Sequence, residues 1–227
     1  MTKTALITGA TGGLGKAFAA VFAKNGFDLI LTGRDENKLK EARELAEGFG
    51  AKAQTIAADL TAKEEQDRIF DWTQEKGIAV DVLVNNAGFG DFGLFFEGDA
   101  KKQREMIEVN IAALVRLTRL FLPGMIERGG GRVMNLASTA AFQPGPLMAC
   151  YYATKAFVLS FSEAIGLELA GTGVFVTALC PGPTSTGFER RASLTGRSML
   201  FSSLKPARSE TVSEYGFRCL MKGKRVA

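Results

Sequence analysis

The chain has 227 residues and no histidine, which removes Ser-His-Asp and Cys-His hydrolysis, HExxH zinc chemistry and every metal site built on imidazole. A hydrophobic fraction of 46% and a charged fraction of 23% are ordinary globular usage, so disordered and fibrous classes fall away. The net charge is only +4, and its Lys and Arg are interleaved with Asp and Glu over residues 35–47 and 63–76, so no nucleic-acid partner is expected.

In chain order, short apolar runs alternate with longer amphipathic stretches. Thr4–Thr8 reads as a buried strand, and residues 13–25 as a helix with Ala17, Phe18, Val21 and Phe22 on one face. Residues 28–32 form a second strand, 36–49 a charged helix, 53–58 a third strand and 63–76 another helix. A fourth strand over 80–85 is followed by a long helix from 100 to 127. Residues 132–136 give a fifth strand, 151–170 a helix, 174–180 a sixth strand and 211–221 a last helix. Strands rich in Val, Ile and Leu without polar alternation are buried on both faces, which means a parallel sheet between helix layers. The expectation is therefore an α/β, three-layer, doubly wound sheet of the Rossmann type, in a single domain over residues 1–227.

Cys150, Cys180 and Cys219 are odd in number and widely spaced, with no CxxC, which suits a reducing compartment. The best apolar run, 111–122, is interrupted by Arg116 and Arg119, and Gly9 comes too early for a signal peptide. A cytoplasmic protein with no membrane partner is the expectation.

In a doubly wound sheet, ligands bind outside the carboxyl ends of the strands, where the winding reverses. After the first strand comes Thr8-Gly9-Ala10-Thr11-Gly12-Gly13-Leu14-Gly15, opening a helix whose N–H groups suit a pyrophosphate. It reads equally as GxxxGxG or GxxGxxG, two spacings used by different dinucleotide folds. The following Lys16 suggests an ATP-binding loop, but Ala10 and Ala17 stand where that motif needs Gly and Ser or Thr.

The second strand ends Thr32-Gly33-Arg34-Asp35. An arginine accommodates a 2′-phosphate, whereas an inward acid would hold the ribose hydroxyls, so NADP is favoured over NAD unless Asp35 turns in. Asp59 and Leu60 face the adenine in one reading; in the other, Asp59 only caps the next helix. Tyr151 and Lys155 lie one helical turn apart, where an ammonium would lower the pKa of a phenol acting as proton donor. Ser138 follows strand five and Asn86, Ala87 and Gly88 follow strand four. Pro181, Gly182, Thr184 and Thr186 follow strand six. Asn110, amid Val109, Ile111 and Ala112, is expected to be buried and hydrogen-bonded.

Together these residues resemble the short-chain dehydrogenase/reductase family, in its compact single-domain subclass. They match its TGxxxGxG turn at residues 8–15, its Asn-Asn-Ala-Gly at 85–88, its Asn110, Ser138 and YxxxK pair, and its Pro-Gly motif. The resemblance settles the glycine spacing as GxxxGxG. It implies that Tyr151 is the acid/base, that Lys155 lowers its pKa and binds the nicotinamide ribose, and that Ser138 orients the substrate carbonyl. It further implies that Asn110 holds a relay water and that Asn86, Ala87 and Gly88 pack along the cofactor. Pro181, Gly182 and Thr184 would then position the nicotinamide.

Phe89, Phe92, Leu94, Phe95, Phe96, Phe142, Leu147 and Met148 suggest an apolar pocket for an uncharged, lipophilic aldehyde or ketone. A substrate lid is expected at about 187–210, where Arg190, Arg191 and Arg197 lie. A homodimer or homotetramer through the long helix and the Tyr151 helix is expected, because Phe157, Leu159, Phe161, Ile165 and Leu169 cover more than one helix face. Residues 222–227 read as the lead-in to a seventh strand that is cut short. The alternative to an enzyme is a non-catalytic NADPH-binding regulator on the same fold.

Overall fold

Residues 2–186 and 206–227 are described by the computed structural model. The apolar runs become six strands: β1 (Thr4–Thr8), β2 (Asp28–Gly33), β3 (Ala53–Ala57), β4 (Val82–Asn85), β5 (Gly131–Leu136) and β6 (Val174–Leu179). All pair in parallel, in the order β3-β2-β1-β4-β5-β6. The helices are α1 (Gly13–Lys24), α2 (Glu36–Glu47), α3 (Lys63–Glu75), α4 (Ala100–Ile107), α5 (Leu114–Glu127), α6 (Ala149–Glu168) and α7 (Ser209–Met221). Two very short strands, β7 (Thr184–Ser185) and β8 (Ala207–Arg208), pair beside the sheet.

Period-two alternation in the central strands feeds two cores at once. Ala5, Ile7, Leu29 and Leu31 point to a cluster shared with Phe18 and Phe22 of α1, Leu39 of α2 and Leu220 of α7. Leu6, Ile30 and Leu83 point the other way, against Ile69 of α3 and Leu117 and Phe121 of α5. Phe22, Phe27 and Phe217 meet edge to face, with centroids 5.0–6.1 Å apart, and tie α7 to the first βα unit.

The sheet reverses its winding between β1 and β4, and the register there brings the functional ends level. Thr8 aligns with Thr32, and Asn85 with Asn135. Asn85 donates to Asn135 Oδ1 (2.9 Å) and Thr118 Oγ1 (3.0 Å), while Asn135 donates to Ser162 Oγ (2.9 Å). This buried polar network fixes β4 and β5 against α5 and α6, directly behind the crevice.

Three expectations change. The predicted long helix is α4 and α5 joined by a π turn over Glu108–Ala113, with Asn110 inside it. The Ala100–Glu127 stretch is, by length and composition, apolar enough to cross a membrane, contrary to the sequence reading. The reason is that only Arg116 and Arg119 interrupt its second half; Arg116 pairs with Asp67 of α3 at 2.5 Å, and Leu114, Leu117, Phe121 and Met125 are buried. Finally, the seventh strand does begin. Val226 bridges Ala178 in parallel, Ala178 and Cys180 donate to the carbonyls of Arg225 and Ala227 (both 2.7 Å), and Ala227 donates back to Ala178 (3.0 Å).

Candidate active site

At the carboxyl ends of the strands lies a cleft of about 750 Å³. Gly9, Thr11, Gly12, Gly13, Leu14 and Gly15 form its floor on the β1 side. Gly9 has φ +63, and a Cβ there would stand 2.8 Å from the Cα of Ala87. A Cβ on Gly13 would stand 2.8 Å from the Cα of Thr186, and one on Gly15 would run into the Gly9 carbonyl. The glycines are thus demanded by close backbone approach at Gly9, Gly13 and Gly15, the GxxxGxG spacing. The turn is latched to β4: Asn86 Nδ2 donates to the Thr8 and Gly9 carbonyls (2.8 and 3.1 Å), and Thr8 Oγ1 accepts from the N–H groups of Asn86 and Ala87 (both 3.0 Å).

Asp35 and Asp99 cap α2 and α4 with side-chain carboxylates, but α1 begins at Gly12 with no side-chain cap and no acid in its first turn. Its N–H groups and positive dipole end face the cleft, an arrangement suited to an anion.

At one end of the cleft, Gly33 leaves room for Thr11, whose Cγ2 would be 2.9 Å from any added Cβ. Arg34 is exposed and lines the rim. Asp35, left open by the sequence, turns to α2: it accepts from the Lys38 N–H (3.1 Å) and pairs with Lys38 Nζ (2.9 Å), which holds its carboxyl below its ordinary value. Lys38 also lines the cleft, a cation the sequence reading missed although it sits three residues past Asp35. Asp59 and Leu60 line the cleft too, with Asp59 accepting from the N–H and hydroxyl of Thr61 (3.1 and 3.0 Å) in a turn before α3.

At the other end, Ser138, Tyr151 and Lys155 converge with Pro181, Gly182, Thr184 and Thr186. Ser138 Oγ accepts from the Ala140 N–H (3.1 Å), donates to the Pro181 carbonyl (3.3 Å) and hydrogen-bonds with the Tyr151 phenol. Lys155 is buried, its Nζ donating to the Leu136 carbonyl (2.5 Å) and lying 5.8 Å from the Tyr151 ring centroid. Asn110 is the exception. It does not line the cleft but is buried behind Gly88, its amide donating to the Phe89 carbonyl and Thr154 hydroxyl and its Oδ1 accepting from the Phe89 N–H.

Burial pushes the Tyr151 phenol up to about 12, against the pull of the Ser138 hydrogen bond, and pushes Lys155 down to about 8. The sequence argument expected Lys155 to bring Tyr151 below its ordinary value. Desolvation of the phenol outweighs any such effect in this geometry.

Short chain dehydrogenases match residues 3–195 as a family. The chain belongs to the short-chain dehydrogenase family. It is 37% identical to an uncharacterized oxidoreductase of Staphylococcus saprophyticus, over 81% of this chain and 79% of that protein. It is 36% identical to the very-long-chain 3-oxoacyl-CoA reductase of Rattus norvegicus, over 78% of this chain but only 58% of that longer protein. Among solved structures, the short-chain dehydrogenase from Sphingobium yanoikuyae in complex with NADPH superposes with a TM-score of 0.91 at 30% identity, covering 99% of this chain and 87% of that one. A Burkholderia phymatum short-chain dehydrogenase/reductase in complex with NAD gives 0.87 at 26%, covering 99% and 88%. Oxidoreduction with a nicotinamide dinucleotide follows from that membership.

The residues present fit such a cofactor, since the Gly9–Gly13–Gly15 cradle would be filled by any Cβ and the α1 N-terminus is uncapped. Beyond Lys38, the sequence reading of this short-chain dehydrogenase missed Thr154 and Cys180. Thr154 ties Asn110 to the carbonyl of Tyr151, and Cys180, half-buried before Pro181, stands near Lys155 and Ser138. Thr154 lies inside the YxxxK motif, so its signal was a polar residue on a buried helix face; Cys180 carried none. The expected arginines Arg190, Arg191 and Arg197, with most of the expected lid, lie outside the described residues.

Proposed function

We propose that the protein is an NADPH-dependent reductase of uncharged, lipophilic aldehydes or ketones, or runs the reverse alcohol oxidation. The observation that carries this reading is the Ser138–Tyr151 hydroxyl pair at the end of a dinucleotide-sized cleft, with buried Lys155 beside it. A bound nicotinamide dinucleotide supplies the hydride. Ser138 holds the substrate oxygen by a hydrogen bond, and Tyr151, kept protonated by burial, donates its proton to that oxygen as charge develops. Lys155, a cation below about 8, stabilises the phenolate that remains and holds the nicotinamide ribose. Pro181, Gly182 and Thr184 wall the nicotinamide side, and Asn86, Ala87 and Gly88 the adenosine-side ribose.

Arg34 and Lys38 favour the 2′-phosphate of NADP over NAD, and the commitment of Asp35 to the α2 cap supports that choice. The apolar lining of the cleft includes Phe89, Ala140 and Met148, and Lys155 is the one fixed charge beside Tyr151 among the described residues. That lining favours an uncharged substrate. The exposed Phe157, stacked on Phe161 (5.8 Å), and exposed Leu167 support a homodimer or homotetramer through α6, in the cytoplasm. Light scattering reads the assembly directly.

The test is NADPH and NADH consumption against a carbonyl panel, by wild type and Tyr151→Phe. Reduction by wild type and its loss in the variant support the reading; persistence near the wild-type rate in Tyr151→Phe removes Tyr151 as the acid. Tight NADPH binding with no consumption by wild type favours a non-catalytic regulator instead.

A further inference from the structure

Met148 lies three residues before Tyr151, at the N-terminal end of α6, and is 5% exposed. Met148 is the residue just before the first turn of α6, and both it and Tyr151 line the cleft. Met148 also lines a second, small hollow of about 20 Å³, bounded by Leu94, Phe95, Met106 and Leu147 together with Asp91, which is paired with Lys102, and Gln103. It is the residue common to both spaces, and therefore the partition between them.

Its position is held from behind at a cost. Leu147 has φ +66, the one non-glycine among the described residues in the left-handed region, which costs about 1–2 kcal/mol. The Leu147 carbonyl accepts the Gly93 N–H (2.8 Å), and the Met148 N–H donates to the Gly145 carbonyl (3.1 Å). Gly145 in turn sits against the Tyr152 ring so closely that no Cβ fits. Strain beside a reaction centre persists only where such neighbours over-determine it. Here they fix the backbone of Met148 where it lines the cleft. Beyond the hollow the surface stays apolar, with Leu94 45% and Phe95 62% exposed.

We propose that Met148 is the specificity-determining wall of the substrate end, and that the largely apolar hollow behind it is substrate space that its side chain closes off. Met148 therefore limits the length of the larger substituent on the carbonyl. This inference rests on the reductase reading for its substrate class. Methionine suits such a wall because its unbranched, polarizable side chain fills irregular apolar space and yields to substitution.

The experiment compares wild type, Met148→Ala and Met148→Val, each loaded with NADPH. It measures kcat/KM for short- and long-chain methyl ketones, and Kd for short- and long-chain alkanols as non-reduced ligands. Opening the wall is expected to raise the long-to-short ratio in both measurements by about tenfold in Met148→Ala and less in Met148→Val. Adding Leu94→Trp to Met148→Ala refills the hollow and is expected to return the ratio to the wild-type value. Unchanged ratios in both Met148 variants overturn the wall. If Met148→Ala does not fold, Met148→Val decides alone by the same ratios. Absence of ketone turnover in wild type overturns the reductase reading, while the alkanol ratios still decide the wall, so the two failures are distinct.

Discussion

Asn110 Nδ2 donates to Thr154 Oγ1 at 3.0 Å, joining the π turn between α4 and α5 to the helix that carries Tyr151 and Lys155. Thr154 passes the link on, donating to the Tyr151 carbonyl at 2.7 Å. The other Asn110 amide proton and its Oδ1 go to the Phe89 backbone, so the side chain is satisfied and clamps the segment after β4 against α6. In this structure the side chain is a clamp.

Thr154→Val keeps the shape of the side chain but leaves one buried Asn110 proton unpaired. Stability should fall by about 1–3 kcal/mol in chemical denaturation. Turnover should fall roughly tenfold with little change in KM, because the clamp positions Tyr151 without touching substrate. Thr154→Ser should restore both. A Thr154→Val protein with wild-type turnover would remove the clamp from the catalytic machinery.

Gly13 and Gly15 separate ligand binding from folding. A methyl on Gly15 drives into the Gly9 carbonyl inside the first βα turn, so Gly15→Ala should cost about 1–3 kcal/mol and abolish dinucleotide binding. A methyl on Gly13 would stand 2.8 Å from the backbone of Thr186, a clash that the about 1 kcal/mol of helix propensity alanine gains over glycine offsets only in part. Gly13→Ala should therefore lose less stability than Gly15→Ala, while the displaced rim at Thr186 weakens NADPH binding by at least about tenfold. Fluorescence titration and thermal melts on the two variants check the contrast.

Strand runs, helices and the sequence-local motifs around the cleft were legible because each is written in a short window. Thr4–Thr8 is apolar on both faces, residues 8–15 are crowded with glycine, and Tyr151 and Lys155 are one turn apart. What escaped depends on contacts between distant segments. The π turn at Glu108–Ala113 holds Asn110, which reaches back to Phe89 and across to Thr154, and neither partner is visible in a 3.6-residue pattern. The direction of the Tyr151 shift likewise depends on how deeply the fold buries it, a tertiary property that spacing to Lys155 does not encode.

Lys155 and Tyr151 give opposite pH dependences. The unfolded chain keeps the Lys155 proton up to its ordinary 10.5, whereas the folded chain releases it at about 8. Between those values the unfolded state binds the extra proton, so the unfolding free energy should rise with pH, and Lys155→Met should lose that slope. Tyr151 acts the other way from 10 to about 12, where the folded state holds the extra proton and stability should fall. Activity follows the lysine: the ammonium is present below about 8, so kcat/KM for carbonyl reduction should decline as pH rises through that value. A flat profile to pH ~10 would show that the Lys155 charge is not required.

Cofactor choice turns on Arg34 and on where Asp35 points. Asp35 lines the cleft but is engaged there, accepting from the Lys38 N–H as the α2 cap and pairing with Lys38 Nζ. Arg34, exposed on the rim, is the side chain that the proposed NADP preference assigns to the 2′-phosphate. Arg34→Ser should raise the KM for NADPH by at least about tenfold, the equivalent of ~1.4 kcal/mol and of one charge-assisted hydrogen bond. The KM for NADH, which has no 2′-phosphate, should change little. Asp35→Ala should cost about 1 kcal/mol of stability through the lost cap, without turning the protein towards NADH. If Asp35→Ala instead weakens NADH binding selectively, the carboxylate reaches the ribose in the complex and the assignment of Asp35 to the cap alone is wrong.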